Sequence, residues 1–298
     1  MKILIIGSKG FIGSYCQRYF NSIGYIVFST DIYTDKSTSN YFELSKIETN
    51  FSEIFKISQP DFCINCSGSA SVPDSYKNPE QDFNLNTSNV YKILNAIRNH
   101  SSQTKFINLS SAAVYGNPKY LPIDENHPTN PISVYGHNKL LAEQICTQFS
   151  KIYGIQTCSV RIFSAYGIGL KKQIFWDLFQ KFSANPVITL MGNASDSRDF
   201  IHVHDLVIAL HNILITKNLE HTVVNVASGE ETTIGKIAEI YKNFFGQSYS
   251  YSFDGVVPMG YPTNWCADTS FLKKMGFGIV CKFENEIIKF LEWAEKEK

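Results

Sequence analysis

The chain has 298 residues, 44% hydrophobic and 18% charged, enough for one large core and a smaller lobe. Lysine plus arginine and aspartate plus glutamate both number 27, so net charge is zero; nothing favours nucleic acid or a membrane surface, and no charge block suggests a tail. No run reaches the ~20 apolar residues of a membrane helix, no cleavable signal is expected because glycine follows the short run 3–6, and seven irregularly spaced cysteines suit reduced thiols in a cytoplasmic protein.

The run Lys2-Ile3-Leu4-Ile5-Ile6 reads as a parallel strand buried on both faces. It leads into Gly7-Ser8-Lys9-Gly10-Phe11-Ile12-Gly13 and an amphipathic helix over 11–22. Glycines there permit a tight turn, close approach of a pyrophosphate, and helix packing on the strand, with the helix N-terminus facing the phosphates. The spacing Gly-x-x-Gly-x-x-Gly is one residue longer at the front than the usual dinucleotide fingerprint. A second strand, 25–28, ends near Asp31, whose carboxylate can accept from both ribose hydroxyls and would repel a 2′-phosphate. No arginine lies between Ser29 and Asn40, so NAD (NADH) is expected over NADP. A plain turn or cap residue is the alternative for Asp31.

Further strands are expected at 61–65, 105–109 and 156–162, with helices at 50–57, 86–99 and 134–153. Cys63 and Cys66 read as packing residues at a strand end, not as redox or metal ligands. The segment from Tyr115 to Val134 carries four prolines and forms a long loop at the carboxyl ends of the strands. It leads into Tyr135 and Lys139, which project from one helix face. An ammonium beside a phenol favours the phenolate and lowers its pKa from ~10. Ser111, in Ser110-Ser111-Ala112-Ala113-Val114-Tyr115-Gly116, can hydrogen-bond an oxygen that gains and loses charge. Beyond Tyr166 come a helix at 173–183, a strand at 187–190, a loop to Arg198, a helix at 204–216 and a strand at 221–226. Two or three helices follow from Thr233, with a proline-containing loop at 256–263. His202 and His204 share a strand-like face, but no cysteine or carboxylate cluster completes a zinc site, so no metal is expected.

In order and spacing these motifs, with Arg161-Ile162-Phe163-Ser164 and Arg198-Asp199-Phe200-Ile201-His202-Val203, resemble an extended short-chain dehydrogenase/reductase. Within that group the chain is similar to the NAD-dependent epimerase/dehydratase family acting on nucleotide sugars. The resemblance implies an α/β fold: a Rossmann-type doubly wound parallel sheet (1–164 plus 200–227) and a smaller, discontinuous α/β substrate lobe (165–199 plus 228–298). It implies catalysis by Ser111, Tyr135 and Lys139. Cofactor contacts would come from Gly7, Gly10, Phe11, Ile12, Gly13, Asp31, Glu43, Leu44, Cys66, Ser67, Gly68, Asn86, Ser110, Tyr135, Lys139 and Ile162. Ser111, Tyr135, Ser164 and Arg198 would hold the sugar nucleotide, Arg198 as the pyrophosphate arginine. A salt bridge to Asp199 or Asp205 is the competing reading of Arg198. Tyr115 and His137 fall near the reacting sugar by sequence, or simply pack. Helices 86–99 and 134–153 resemble those that relatives pair across a two-fold axis, so a homodimer is expected.

Departures from the family narrow the reaction. Ala112 and Ala113 stand where the dehydratases place an Asp-Glu acid/base pair, which disfavours elimination of water. Val257-Pro258-Met259-Gly260-Tyr261 lacks the second phosphate arginine of many relatives, Ser164 replaces a common Asn, and Lys171 and Lys172 are the alternative source of charge. Two reactions use the same residues. The short chain and missing arginine favour NADH-dependent reduction of the C4 keto group of a nucleotide-linked 4-keto-6-deoxy sugar, of the kind that feeds surface polysaccharide, with Tyr135 as proton donor. The alternative is 4-epimerisation with tightly held NAD. A non-catalytic NAD-binding protein is a third reading, opposed by the intact Ser111, Tyr135 and Lys139.

Overall fold

The computed structural model describes residues 1–45, 49–216, 222–256, 260, 262 and 264–298. The chain alternates strand and helix as expected. β1 (Lys2–Ile6), α1 (Phe11–Ser22), β2 (Ile26–Asp31), β3 (Tyr41–Glu43), α2 (Ser52–Ser58) and β4 (Phe62–Asn65) come first. α3 (Val72–Lys77), α4 (Pro79–Phe83), a π-helical turn at Asn84–Ser88 and α5 (Asn89–His100) follow. Next are β5 (Lys105–Ser111), α6 (Val134–Tyr153), β6 (Thr157–Ile162) and β7 (Ser164–Tyr166). These strands and β10 build a seven-stranded sheet in the order β10-β6-β5-β4-β1-β2-β3, β10 being Thr222–Val226 and β7 lying outside it. Every pairing in it is parallel. The doubly wound fold is therefore present.

Successive residues of β1 feed opposite cores, because side chains alternate along a strand. Ile3 and Ile5 pack with Phe20, Leu206 and Leu210 on the side of α1 and of α8 (Val203–Ile215); Leu4 and Ile6 pack with Phe55, Ile93 and Phe149 on the side of α2, α5 and α6. This explains the unbroken apolar run: both faces are covered.

Most of the rest of the chain forms a second core, whereas Leu272 and Phe277 pack with Ile3 and Leu206 in the first. α7 (Gln173–Ala184), β8 (Val187–Leu190), β9 (Ser197–His202), β11 (Glu231–Thr233), α9 (Ile234–Phe245), β12 (Ser250–Phe253), α10 (Ser270–Lys274) and α11 (Phe283–Lys296) complete the chain. β9 lies between β7 and β11, and β8 pairs with β12. Their core is aromatic: Phe175, Phe179, Phe182, Phe200, Tyr241 and Phe290 are all buried. β9 spans the 199/200 position at which the sequence places a lobe junction.

The sequence-derived helix over 86–99 is only part of a longer run. α3, α4 and the π-turn precede it, and the short strands β3, β7, β9, β11 and β12 are additions.

Candidate active site

Between β1 and β4 the chain reverses the direction in which it adds strands, and the glycine turn and the Cys66–Gly68 turn face each other across that switch point. Gly7 has φ +78°, and a Cβ there would stand 2.7 Å from the Ser67 nitrogen; one on Gly13 would overlap the Gly7 carbonyl. Those two glycines make the turn and seat α1. Gly10 differs: its added Cβ would meet only the Gly7 oxygen, at 3.3 Å, so its outer side is open. α1 starts there with no side-chain cap and no acidic residue in its first turn, leaving the N–H groups of Phe11, Ile12 and Gly13 directed outward. Such a cradle fits a pyrophosphate.

Asp31, buried at the end of β2, accepts from the Lys9 and Ile32 nitrogens at 2.8 and 2.7 Å, fixing its carboxylate beside the turn. Lys9 is a cation that the sequence reading passed over; its ammonium pairs with Asp35 and lies 5.3 Å from the Tyr41 ring centroid. Leu44 is buried and its nitrogen bonds the Asp31 carbonyl, while Glu43 is exposed. Ser67 donates to Asn65 Oδ1 at 2.6 Å. Gly68 (φ +117°) packs so closely on Asn86 that an added Cβ would stand 2.5 Å from Oδ1. Cys66 contacts Cys16, and that contact and burial hold its thiol well above the usual range, as burial alone does for Cys63. All seven cysteines are thiols.

Ser111 ends β5, and Tyr135 and Lys139 start α6, whose N-cap Ser133 accepts from the Gly136 nitrogen. Tyr135 is 7% exposed, and its hydroxyl hydrogen-bonds Ser111. The three expected residues are thus brought together. Their electrostatics differ from expectation. Burial pushes the Tyr135 phenol up to about 12; the Ser111 hydrogen bond opposes this and Asp82 adds to it. The Lys139 ammonium, 5.7 Å from the Tyr135 ring centroid, donates to the Leu109 carbonyl at 2.8 Å, and burial lowers it to about 8. Acidification of the phenol by Lys139 is therefore corrected: burial raises the phenol, because a charge forming out of contact with water is disfavoured.

Behind Ser111 lies a buried polar network. Glu143 accepts from Ser110 Oγ (2.5 Å) and from two Arg161 nitrogens (3.0 and 2.7 Å); Arg161 also donates to the Tyr115 hydroxyl, which donates to Asn225. Tyr115 is fully buried, with burial holding its phenol at about 12, so it packs rather than meeting a sugar; His137 is exposed. Ser110 serves this network, and Ile162, also buried, ends β6 beside Ser111.

On the other side of the cleft, Ser164 begins β7 and pairs with Phe200 of β9, so it lies beside the strand that carries Arg198. The Arg198 guanidinium donates to the Ser197 carbonyl at 2.7 Å and lies 5.7 Å from the Trp265 ring centroid. Asp199 is fully buried and accepts from the Ser228, Gly229 and Ala267 nitrogens and the Ser228 hydroxyl; Asp205 accepts from the Val280 and Cys281 nitrogens. Both carboxylates thus anchor loops. Lys171 reaches Glu297 and lies over Trp176 and Trp293. Val257, Pro258, Met259 and Tyr261, where the second arginine was sought, lie outside the described residues.

Residues 3–227 match the NAD dependent epimerase/dehydratase family, glycine turn and Ser111, Tyr135 and Lys139 included. The chain belongs to that family. NAD is the family's cofactor, as Asp31 and the glycines lead one to expect. The UDP-glucose 4-epimerase of Lactobacillus helveticus is 29% identical over 298 residues, 91% of this chain and 89% of that protein. The GDP-6-deoxy-D-mannose reductase of Pseudomonas aeruginosa is 30% identical over 197 residues, 61% and 62% of the two chains. The crystal structure of UDP-glucuronic acid 4-epimerase from Bacillus cereus, in complex with UDP-glucuronic acid and NAD, superposes with a TM-score of 0.90 at 23% identity, covering 100% of both chains.

Two features of this epimerase/dehydratase family member were not legible beforehand. One is a meeting of His204, Asp205 and Cys281, whose donor atoms lie within 4.8 Å. The expectation that no cysteine or carboxylate cluster forms with these histidines is corrected at His204. The Asp205 oxygens already accept two backbone N–H bonds, and burial and the Asp205 charge hold the Cys281 thiol at about 12. The other is Asp82, 3% exposed, accepting from Asn86 Nδ2 at 3.0 Å and Asn138 Nδ2 at 2.7 Å. An acid in a polar helix gave no sign of its burial. Among the described residues, no helix is long and apolar enough to cross a membrane.

Proposed function

We propose that the protein epimerises a nucleotide-linked hexose at C4, with NAD held tightly across the β1/β4 switch point and uridine diphosphate as the carrier. The single observation that carries this over the reductase favoured by sequence is the extent of the likeness: the UDP-glucose 4-epimerase match runs along 91% of the chain, the reductase match along 61%. Elimination finds no support, since Ala112 and Ala113 follow Ser111 and have no proton to trade.

In this reading Tyr135 Oη, ionised once the positive charge of bound NAD offsets its burial, would take the proton of the C4 hydroxyl while Ser111 hydrogen-bonds the same oxygen, and would later return that proton. NAD supplies, when bound, a reversible store for the hydride and a positive charge. Lys139, held by the Leu109 carbonyl, would set the field at the phenol and hydrogen-bond the nicotinamide ribose. Arg198 holds the pyrophosphate beside Ser164, and the lobe division expected from the sequence (165–199 plus 228–298) is retained as the substrate half. Tyr91 of α5 and Leu141, Ile152 and Tyr153 of α6 are exposed apolar side chains, which supports pairing of these helices in a homodimer.

The reductase remains the second reading, supported by the Pseudomonas aeruginosa relative. Incubating the purified protein with UDP-glucose and with nucleotide-linked 4-keto-6-deoxy sugars, while following reduced-nicotinamide absorbance, separates the two. Product without net cofactor consumption is expected. Stoichiometric loss of NADH on a keto sugar, with no epimer formed, overturns the proposal in favour of reduction.

A further inference from the structure

Asp82 carries no part of the chemistry described above, yet it occupies a telling place. It is the last acid before the π-turn that leads into α5, and it is buried with both carboxylate oxygens engaged. One bond goes to Asn86, against whose Oδ1 the Gly68 backbone packs. The other goes to Asn138, the residue between the exposed His137 and Lys139. Thr87, on the same π-turn, donates to the Asn138 carbonyl at 2.9 Å, so both ends of Asn138 are tied to this turn. π-turns break the regular helical register and recur at functional sites; here the break presents Asn86 and Thr87 to two different elements. Asn86 Oδ1 is itself buried and has no hydrogen-bond partner among the described residues. A buried carboxylate is costly unless it is paired, and here two side-chain amides from different elements pair it.

We propose that Asp82 is a positioning residue for proton transfer, clamping the start of α6 to the Gly68 turn and setting the charge felt by Tyr135 and Lys139. The inference rests on the reading that Tyr135 and Lys139 move the proton. Groups facing them are few. Lys139 feels the charge of Asp82 from α4, of Glu143 from its own helix, and of Cys66 from the turn after β4; Tyr135 feels Asp82 and is hydrogen-bonded by Ser111 from β5. Asp74 of α3 shares with Asp82 a small cleft lined also by Ser69, Asn78, Gln81 and Leu85. Of the carboxylates, Asp82 acts on both members of the pair, and it favours the protonated form of each: the ammonium of Lys139 and the neutral phenol of Tyr135. Removing its charge makes both groups give up their protons at lower pH.

The test uses the holoenzyme with Asp82→Asn, which removes the charge and turns one of the two acceptors into a donor, and Asn138→Ser, which keeps the charge and opens the clamp. In Asp82→Asn the limb of the kcat–pH profile that reports Tyr135 is expected to move toward acid by about one pH unit, with KM within about twofold of wild type because no substrate contact is lost. In Asn138→Ser the limb is expected to stay in place while kcat falls about tenfold, the cost of a slackened geometry. Superimposable pH profiles for Asp82→Asn overturn the charge-setting role. An unchanged kcat for Asn138→Ser overturns the clamp, and this variant decides the matter if Asp82→Asn does not fold. Tyr135→Phe run alongside keeps the two proposals apart: an active Tyr135→Phe sinks the catalytic reading, whereas an inactive one with unmoved Asp82→Asn and Asn138→Ser sinks only this inference.

Discussion

The two halves of the molecule are held together by different means. Around the cofactor cradle the backbone does the shaping: parallel strand ends, a turn that only glycine fits at positions 7 and 13, and N–H groups left open at the start of α1. In the substrate lobe the side chains do it. The sheets are of three and two strands, and the interior is a cluster of phenylalanines and tyrosines in edge and stacked contact, with Tyr166 and Phe175 at 5.0 Å and Phe175 and Phe200 at 5.0 Å. A backbone-built site tolerates little change in local geometry but much in side-chain identity. A side-chain-built lobe reverses this.

Substitutions can sharpen or break that contrast. The largest effect is expected from Tyr135→Phe, which leaves the cradle intact: turnover falls by ~100- to 10,000-fold while NAD affinity stays near wild type, and a variant keeping half the wild-type rate removes the proton-transfer role. Next comes Phe182→Ala in the lobe. Phe182 is fully buried, and its loss costs ~3–5 kcal/mol of stability. If the halves are built independently, calorimetry shows the lobe melting early with NAD binding retained; simultaneous loss of NAD binding shows one cooperative unit instead. Arg198→Ala follows, with KM for the sugar nucleotide raised ~10- to 100-fold, a loss of ~1.5–3 kcal/mol for a charged hydrogen bond, and an unaltered KM removes the pyrophosphate role.

The smallest effect is on pH. Lys139 has a folded pKa of about 8 against ~10.4 in an unfolded chain. Between those values the unfolded chain holds a proton that the folded one lacks, so Lys139 adds stability as pH rises through that window. Tyr135, pushed up to about 12, works the other way above pH ~10. Urea midpoints from pH 7 to 9.5 are therefore expected to climb less in Lys139→Met than in wild type. Parallel curves would mean that Lys139 is not desolvated.

The same contrast explains what could be read from the sequence. β1, the glycine turn, Asp31 and the Tyr135–Lys139 pair carry local signatures, because period, spacing and glycine placement are backbone properties. The short strands β9 and β11 do not: three to six residues with alternating charge resemble a loop until Asp199 is seen binding Ser228, Gly229 and Ala267. Spacing also predicted the meeting of Tyr135 and Lys139 but not the sense of the phenol's shift, since how much water reaches a helix start depends on everything packed above it. Asp82 was invisible for a related reason. A polar stretch such as Lys77-Asn78-Pro79-Glu80-Gln81-Asp82 says nothing about which of its members turns inward.

The π-turn at Asn84–Ser88 sets a rule for the length of this chain. A π-turn holds one residue more than the α-turn it replaces, so trimming one residue between Asn84 and Ser88 would restore regular winding with the helix on either side nearly in its present phase. Asn86 and Thr87 could then no longer both keep their present partners. Insertions and deletions in descendants of this gene should therefore avoid that single turn and collect in the surface loops on either side.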